Sequence, residues 1–390
     1  MRQLSRNTSH AGPNGAMSGR MERSAATSDS CVPTFREVSV SSGARTRARS
    51  AVADVLLRSA TPALTLAVRR WGYGCFAFDT LQRPDLYETF PSTTTPGALV
   101  AYRRIGPVDV ILGEPLAPRA SLGAVVEEFL RERRSAGRLV LGFLASRDFA
   151  LAAVSAGASA VEIAAEPELD PVTYEPHGSS AKTFRVYVRR MERSGIEAIA
   201  LPARTREVPA LFRLSADLLI RNWLAYGVSR GAHLLDIEPW RSSEEKRYFA
   251  VYDPKSRTHL WALVIAHPVY ALDGWHLCHL VRSPDAPEGA LELAVMRAIE
   301  AFRQERVRYL TLGPYADVRA GEFLNVGPVA HWLFDRVYGL TARLGGHAKA
   351  REFFHKVQPG PWQPRYLVFY PRRAYLRTLR AAMQVSHVIE

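Results

Sequence analysis

At 390 residues the chain exceeds the length at which one hydrophobic core usually stops growing, so two domains are expected. Its 47% hydrophobic content excludes a disordered chain, and 51 Lys+Arg against 38 Asp+Glu leave a net charge of +13, which favours polyanionic partners such as nucleic acid or an anionic bilayer surface. Three scattered cysteines (Cys31, Cys75 and Cys278) speak against a disulfide framework, and the sequence has neither a run near the ~18 apolar residues of a membrane span nor a signal-peptide core. A soluble, cytoplasmic chain is therefore expected, any membrane contact being peripheral, at the inner face of the cytoplasmic membrane.

Residues 1–50 are rich in Ser, Thr, Gly, Ala and Arg and are expected to be disordered, either as an inert extension or as a loose polyanion-binding arm. A first module is expected over 51–177. It opens with a helix at 51–70 and a strand pair at 99–103 and 108–112, closed by the turn Ile105-Gly106-Pro107. A helix at 122–133 follows, its apolar stripe made by Leu122, Val125, Val126, Phe129 and Leu130. Then come a buried strand at 138–144, a helix at 147–155 and a strand at 159–163.

Residues 178–195 read as an amphipathic connector helix. Arg185, Arg189 and Arg193 recur every four residues with Lys182 before them, while Phe184, Val188 and Met191 line another face. Glu192 is the only acid between Lys182 and Arg193, so most of these cations lack an intrahelical partner. They form either a phosphate-binding face or an ordinary solvated one.

A second module over 196–390 repeats the order of elements. A helix is expected at 208–226, strands at 248–252, 259–266 and 275–281, a helix at 288–304 and a strand at 307–312. Helices at 329–340 and 347–355, a strand at 366–370 and a helix at 373–383 complete a mixed α/β chain. From Arg336 to Arg380 the cations Arg336, Arg343, Lys349, Arg351, Lys356, Arg365, Arg372, Arg373, Arg377 and Arg380 face a single acid, Glu352. Such a stretch can dock a polyanion with strong salt dependence, or be a basic surface of no consequence.

Candidate chemistry concentrates in the strand at 275–281. Arg282 suits bidentate pairing with a phosphate, or a structural ion pair. His279 is either a general base, since imidazole titrates near pH 6.5, or a packed core residue. Strict alternation puts His279 and Arg282 on opposite faces, and they converge only if the strand ends or bulges before Arg282. His276 and Cys278 share a face, as a Cys/His nucleophile or metal pair would, but no further Cys/His cluster in the sequence completes a zinc site, so no metal is expected. There is no Walker loop, and Arg134-Ser135-Ala136-Gly137-Arg138-Leu139 is an incomplete match to a coenzyme A loop. No cofactor is expected.

Five stretches in shared order resemble the phosphatidylglycerol lysyltransferase C-terminal domain family, the catalytic domains of aminoacyl-phosphatidylglycerol synthases. They are Ala98-Leu99-Val100-Ala101-Tyr102-Arg103 with Leu112-Gly113-Glu114-Pro115-Leu116; the basic helix ending in Arg193-Ser194-Gly195; His279-Leu280-Val281-Arg282; Tyr309-Leu310-Thr311-Leu312-Gly313; and Lys356-Val357-Gln358-Pro359 with Trp362-Gln363-Pro364-Arg365-Tyr366-Leu367. The resemblance implies an α/β (α+β) fold of two tandem GNAT-like acyltransferase modules joined by the basic helix. It implies transfer of an aminoacyl group from aminoacyl-tRNA to a phosphatidylglycerol hydroxyl. On that reading His279 and Arg282 are catalytic, and Arg282, Lys356 and Arg351 bind the lipid phosphate. Lys182, Arg185, Arg189, Arg193, Arg365, Arg372, Arg373 and Arg377 contact tRNA. The sequence departs from the family at His279, where an Asp is usual, and at Phe354, where a Lys is usual. A GNAT-like transferase acting on a peptide or small amine, and a non-catalytic scaffold binding RNA or membrane, remain the alternatives.

Overall fold

A computed structural model of the chain describes residues 61–179, 181–202, 208–225, 237–256, 258–316, 321–328, 330–332, 334, 336, 347–357 and 360–385. The expectations for residues 1–50, for the start of the first helix and for most of the helix at 329–340 lie outside these residues, as do the side chains of Lys349 and Arg351.

The first helix, α1 (Pro62–Trp71), starts where Thr61 caps it by accepting from the Leu64 amide. It buries Leu64, Ala67, Val68 and Trp71. After a short helix, α2 (Asp79–Gln82), come β1 (Glu88–Pro91), β2 (Leu99–Ile105) and β3 (Val108–Leu112). β2 and β3 are antiparallel, joined across Gly106, whose φ of 52° is the left-handed conformation this tight turn needs. Helix α3 (Leu122–Ser135) buries the whole stripe read from the sequence. It leads to β4 (Leu139–Ala145), which pairs parallel to β3. Helix α4 (Arg147–Ser155) and β5 (Ser159–Leu169) follow.

The connector forms helix α5 (Lys182–Arg193), with Phe184, Val188 and Met191 buried as the periodicity predicts. Beyond β6 (Ala198–Ala200) and helix α6 (Ala210–Ala225), strands β7 (Arg247–Tyr252), β8 (Leu260–Val269) and β9 (Gly274–Arg282) form an antiparallel meander. Helix α7 (Ala290–Gln304) then crosses to β10 (Leu310–Thr311), which is parallel to β9. Short strands β11 (Tyr315–Ala316) and β12 (Phe323–Leu324), helix α8 (His347–Val357), β13 (Trp362–Tyr370) and helix α9 (Tyr375–Val385) complete the described chain.

The two halves share one plan: a hairpin, a crossover helix and a parallel strand, as β2-β3-α3-β4 and again as β8-β9-α7-β10. All thirteen described strands join in one sheet of order β1-β2-β3-β4-β13-β5-β10-β9-β8-β7-β6, with β11 and β12 on β5. The antiparallel strand beside β4 is β13, from the C-terminal end, and the one beside β10 is β5, from the first half. Each half is completed by a strand from the other. The boundary drawn at 196 therefore assigns β13 to the second module, while its sheet partners are β4 and β5. Double pairing also accounts for β5 running to Leu169, past its expected end at 163.

Helices cover both faces. Against the first half, α1, α3 and α4 pack on one face, and Phe334 with Ala381 and Ala382 of α9 on the other. Against the second, α5 and α7 pack on one face with Phe354 and Val357 of α8, and α6 on the other through Phe212, Ala216, Leu219 and Ile220. Tucking that much apolar surface away at roughly 25 cal/mol per Å² supplies the main driving force for this arrangement.

Candidate active site

Two groups of polar side chains lie within the apolar frame, and they occupy opposite faces of β9. Across the β8–β9 pair the register slips between Ile265 and Ala266, so that Ile265 faces His279 and Ala266 faces Leu277. Cys278 is the extra residue of a β-bulge. From His279 to Arg282 the pairing is regular, so alternation holds there and the two side chains part. The bulge needed to unite them lies on the wrong side of His279. The catalytic pair His279 and Arg282 expected from the sequence is thus not formed.

On the α7 face, Arg282 ends β9 and is half-buried, its guanidinium donating to the Ala286 carbonyl. Its Nε is buried and has no hydrogen-bond partner among the described residues. Lys356 of α8 sits 5.4 Å above the Tyr187 ring of α5, and its Nζ is 3.0 Å from Glu352 Oε1. Tyr187 is bonded to Glu288. Arg282 and Lys356 both act on Glu292 in the first turn of α7: burial raises this carboxyl above its usual range, and the two cations pull it back. Gly289 makes the junction possible. Its φ is 102°, and a Cβ there would stand 2.9 Å from the Tyr187 carbonyl oxygen and 2.9 Å from Met191 Cγ.

The opposite face holds a polar cluster in which the sequence candidates His276, Cys278 and His279 are joined by Asp79 of α2, Lys246 and His267, which local sequence does not single out. His267 Nδ1 lies 3.3 Å from Asp79 Oδ1, Cys278 Sγ lies 3.6 Å from His279 Nε2, and the His267 and His279 rings are 5.4 Å apart. Burial pushes the Asp79 carboxyl up to about 7, opposed by His276 and Lys246, and lowers Lys246 to about 8, opposed by Asp79. His276 Nδ1 is 3.2 Å from the Cys75 carbonyl oxygen, and burial lowers this imidazole too. The available signal was a histidine (His267) ending an apolar strand run, beside a proline.

Arg365 is not a surface contact. Its Nε and Nη2 donate to Glu166 Oε2 at 2.7 and 2.6 Å, in a pair whose acid is fully buried and whose arginine side chain is 12% exposed. Burial acts to lower the Arg365 pKa, but Glu166, with Cys75 and Glu114 beside it, more than offsets this and raises it. Cys75 Sγ completes the set, 3.5 Å from Glu166 Oε2. Glu166 was legible only as one of three acids, with Glu162 and Glu168, in the stretch that forms β5, and nothing local marks it as the buried one.

The remaining expected cations divide. Lys182, Arg189 and Arg193 are exposed on α5, whereas Arg185 donates to the carbonyls of Pro176 and Gly178 and so braces the loop before the helix. Arg372, Arg373 and Arg377 are exposed, but they follow β13 to α9, which packs on β3 and β4. The single basic flank read from the C-terminal sequence is therefore split between the two halves. Phe354, one of the two departures, is a core residue beside Tyr315. A groove of about 550 Å³ between α3 and α4 shares no residue with either polar group.

Several solved structures are similar in fold, among them the following three. The C-terminal domain of a protein assigned as a lysylphosphatidylglycerol synthetase from Agrobacterium fabrum aligns with a TM-score of 0.65 at 18% identity, over 84% of this chain and 97% of that one. L-PGS from Bacillus licheniformis gives 0.67 at 17% identity, over 85% and 97%. A protein of unknown function from Bacteroides thetaiotaomicron gives 0.51 at 12% identity, over 79% and 94%. At these identities the likeness is one of fold. No curated protein matches the chain. The family model described as phosphatidylglycerol lysyltransferase, C-terminal, matches residues 79–369. Spanning most of the chain and both halves of the sheet, that match shows that the protein belongs to the phosphatidylglycerol lysyltransferase C-terminal family, with its tandem GNAT-like fold.

Proposed function

We propose that the chain transfers an aminoacyl group from aminoacyl-tRNA to a hydroxyl of phosphatidylglycerol or a related lipid. What supports this reading is that Lys356 lies against Tyr187 of the basic helix α5, while Arg282 and Lys356, distant in sequence, both bear electrostatically on the Glu292 carboxylate of α7. Two part-buried cations that act on the same carboxylate suit a phosphodiester, with Arg282 Nε available as a further donor. Arg351, in α8 with Lys356, belongs to the same proposal. Exposed Lys182, Arg189 and Arg193 lie on the helix whose Tyr187 touches Lys356, so they supply phosphate contacts for the RNA near the lipid site.

The reaction exchanges one ester for another. The lipid hydroxyl attacks the aminoacyl carbonyl, a C–O bond to the lipid forms, and the bond to the tRNA ribose breaks. The proton of the attacking hydroxyl ends on the ribose oxygen. Bond energy is roughly conserved, so no nucleotide hydrolysis is required; positioning and neutralisation of the acceptor phosphate are what Arg282 and Lys356 contribute. Among the described residues no helix is long and apolar enough to cross a bilayer, so the lipid is met at the membrane surface.

The test is incubation of the full chain with tRNA carrying a labelled amino acid and phosphatidylglycerol vesicles. Label is expected in the lipid phase, and it should be lost in Arg282→Ala and Lys356→Ala. Salt-sensitive binding to tRNA without transfer would establish a scaffold instead. Label passing to a water-soluble amine would establish a different acceptor class.

A further inference from the structure

The buried cluster on the far face of β9 has no part in the proposed transfer, yet its composition and spacing are those of a metal site. One ligand atom each from His267, Cys278 and His279 lie within 4.8 Å of one another. Tetrahedral zinc, with Zn–N near 2.0–2.1 Å and Zn–S near 2.3 Å, places an N and an S ligand about 3.6 Å apart. Cys278 Sγ and His279 Nε2 stand 3.6 Å apart.

The backbone explains how residues adjacent in sequence come to share a face. The bulge at Cys278 cancels the usual alternation, so Cys278 and His279 project from the same face of the sheet, where His267 of the neighbouring β8 supplies the third group. The sequence reading paired His276 with Cys278 instead; His276 faces the Cys75 carbonyl. Neither ring nitrogen of His267 makes a hydrogen bond among the described residues although the side chain is buried. A buried imidazole normally has partners, and this one has a carboxylate at ion-pair distance on one side only.

We propose that His267 Nε2, Cys278 Sγ and His279 Nε2 bind one zinc ion, with Asp79 holding the Nδ1–H of His267. A carboxylate behind a metal-bound imidazole fixes its tautomer and strengthens it as a ligand. Cys278 binds as thiolate and releases its proton to solvent, and both histidines bind neutral. The fourth tetrahedral position falls to water, since Asp79, on the Nδ1 side of the His267 ring, lies behind the metal and not on it. Lys246, held by the Glu238 carbonyl, is the neighbouring cation, and its charge acts on both Asp79 and Cys278. The ion would tie β8, β9 and α2 together. It also gives a physical reading of His279, the residue that departs from the family pattern.

The experiment is titration of the reduced, metal-stripped full chain with Co²⁺ alone, then with Zn²⁺. Tetrahedral cobalt bound to a thiolate gives a charge-transfer band in the near ultraviolet and strong visible bands. The expected result is saturation at about one equivalent, loss of the bands on adding zinc, and full intensity in a Cys31→Ser/Cys75→Ser variant, which leaves Cys278 as the only thiol. Asp79→Asn should weaken zinc binding about 10–100-fold. Absence of the thiolate band in the unmodified chain overturns the proposal, and so does its loss in the Cys31→Ser/Cys75→Ser variant while circular dichroism is unchanged. These readings need no transfer activity, so they stand or fall apart from the proposed function.

Discussion

Replacing Arg365 by Ala leaves Glu166, fully buried, without two charge-assisted hydrogen bonds of 2.7 and 2.6 Å. Breaking one side of such a pair costs about 3–5 kcal/mol, because the surviving charge stays buried without compensation. At 1.4 kcal/mol per factor of ten, that is a loss of about 100-fold or more in the folding equilibrium. Glu166→Ala should cost a similar amount by stranding the guanidinium. The double variant Glu166→Leu/Arg365→Met removes both charges at similar volume and should recover most of the loss. Urea unfolding of all four proteins, followed by far-ultraviolet circular dichroism, gives the midpoints and slopes from which their stabilities are compared. A loss below about 1 kcal/mol in Arg365→Ala, the scale of an exposed pair, would refute the buried-pair reasoning. It would do so all the more if tRNA affinity fell instead.

Glu128 accepts from the Ser92, Thr93 and Thr94 hydroxyls and from the Thr93 amide. Burial acts to raise its pKa, but these bonds hold it at about 2. Its stabilising effect is therefore complete above the ordinary carboxylate range and is lost as pH falls toward 2, so the stability gap between the unmodified chain and Glu128→Gln should close over that window in urea titrations. Gly289→Ala should cost at least the 1–2 kcal/mol or so of a left-handed backbone, since α5 must also shift; melting curves and weakened lipid binding check it together. Removing Lys182, Arg189 and Arg193 together should flatten the slope of log affinity for tRNA against log salt by about 2–3, while Arg185→Ala, which loosens the preceding loop, should change stability more than slope.

Local features of this fold were legible and non-local ones were not. Ile105-Gly106-Pro107 announced the first hairpin, and the spacing of Phe184, Val188 and Met191 announced the docked face of α5, because turn chemistry and helical period are written within a few residues. The insertion of β13 between β4 and β5 depends on pairing across some two hundred residues, which no local pattern encodes. It is this insertion that turns Arg365 inward to Glu166, so a cation that reads as part of a basic flank becomes half of a buried pair. A one-residue bulge decided the rest. Had β9 alternated throughout, Cys278 and His279 would face opposite ways; the slip at Cys278 gathers them with His267, while the regular pairing beyond it leaves His279 and Arg282 on opposite faces. Asp79 and Lys246 were missed for the same reason, each reaching the cluster from a separate element.

The central claim is that Arg282 and Lys356 hold the phosphate of a lipid that receives an aminoacyl group. Mass spectrometry of lipid extracts tests it most directly, comparing cells that make the intact chain with cells that make Arg282→Ala at equal level. Aminoacylated phosphatidylglycerol, or a related aminoacylated lipid, present with the intact chain and missing with the variant is the predicted result. Identical lipid profiles in both, with the intact chain folded and abundant, would contradict the account.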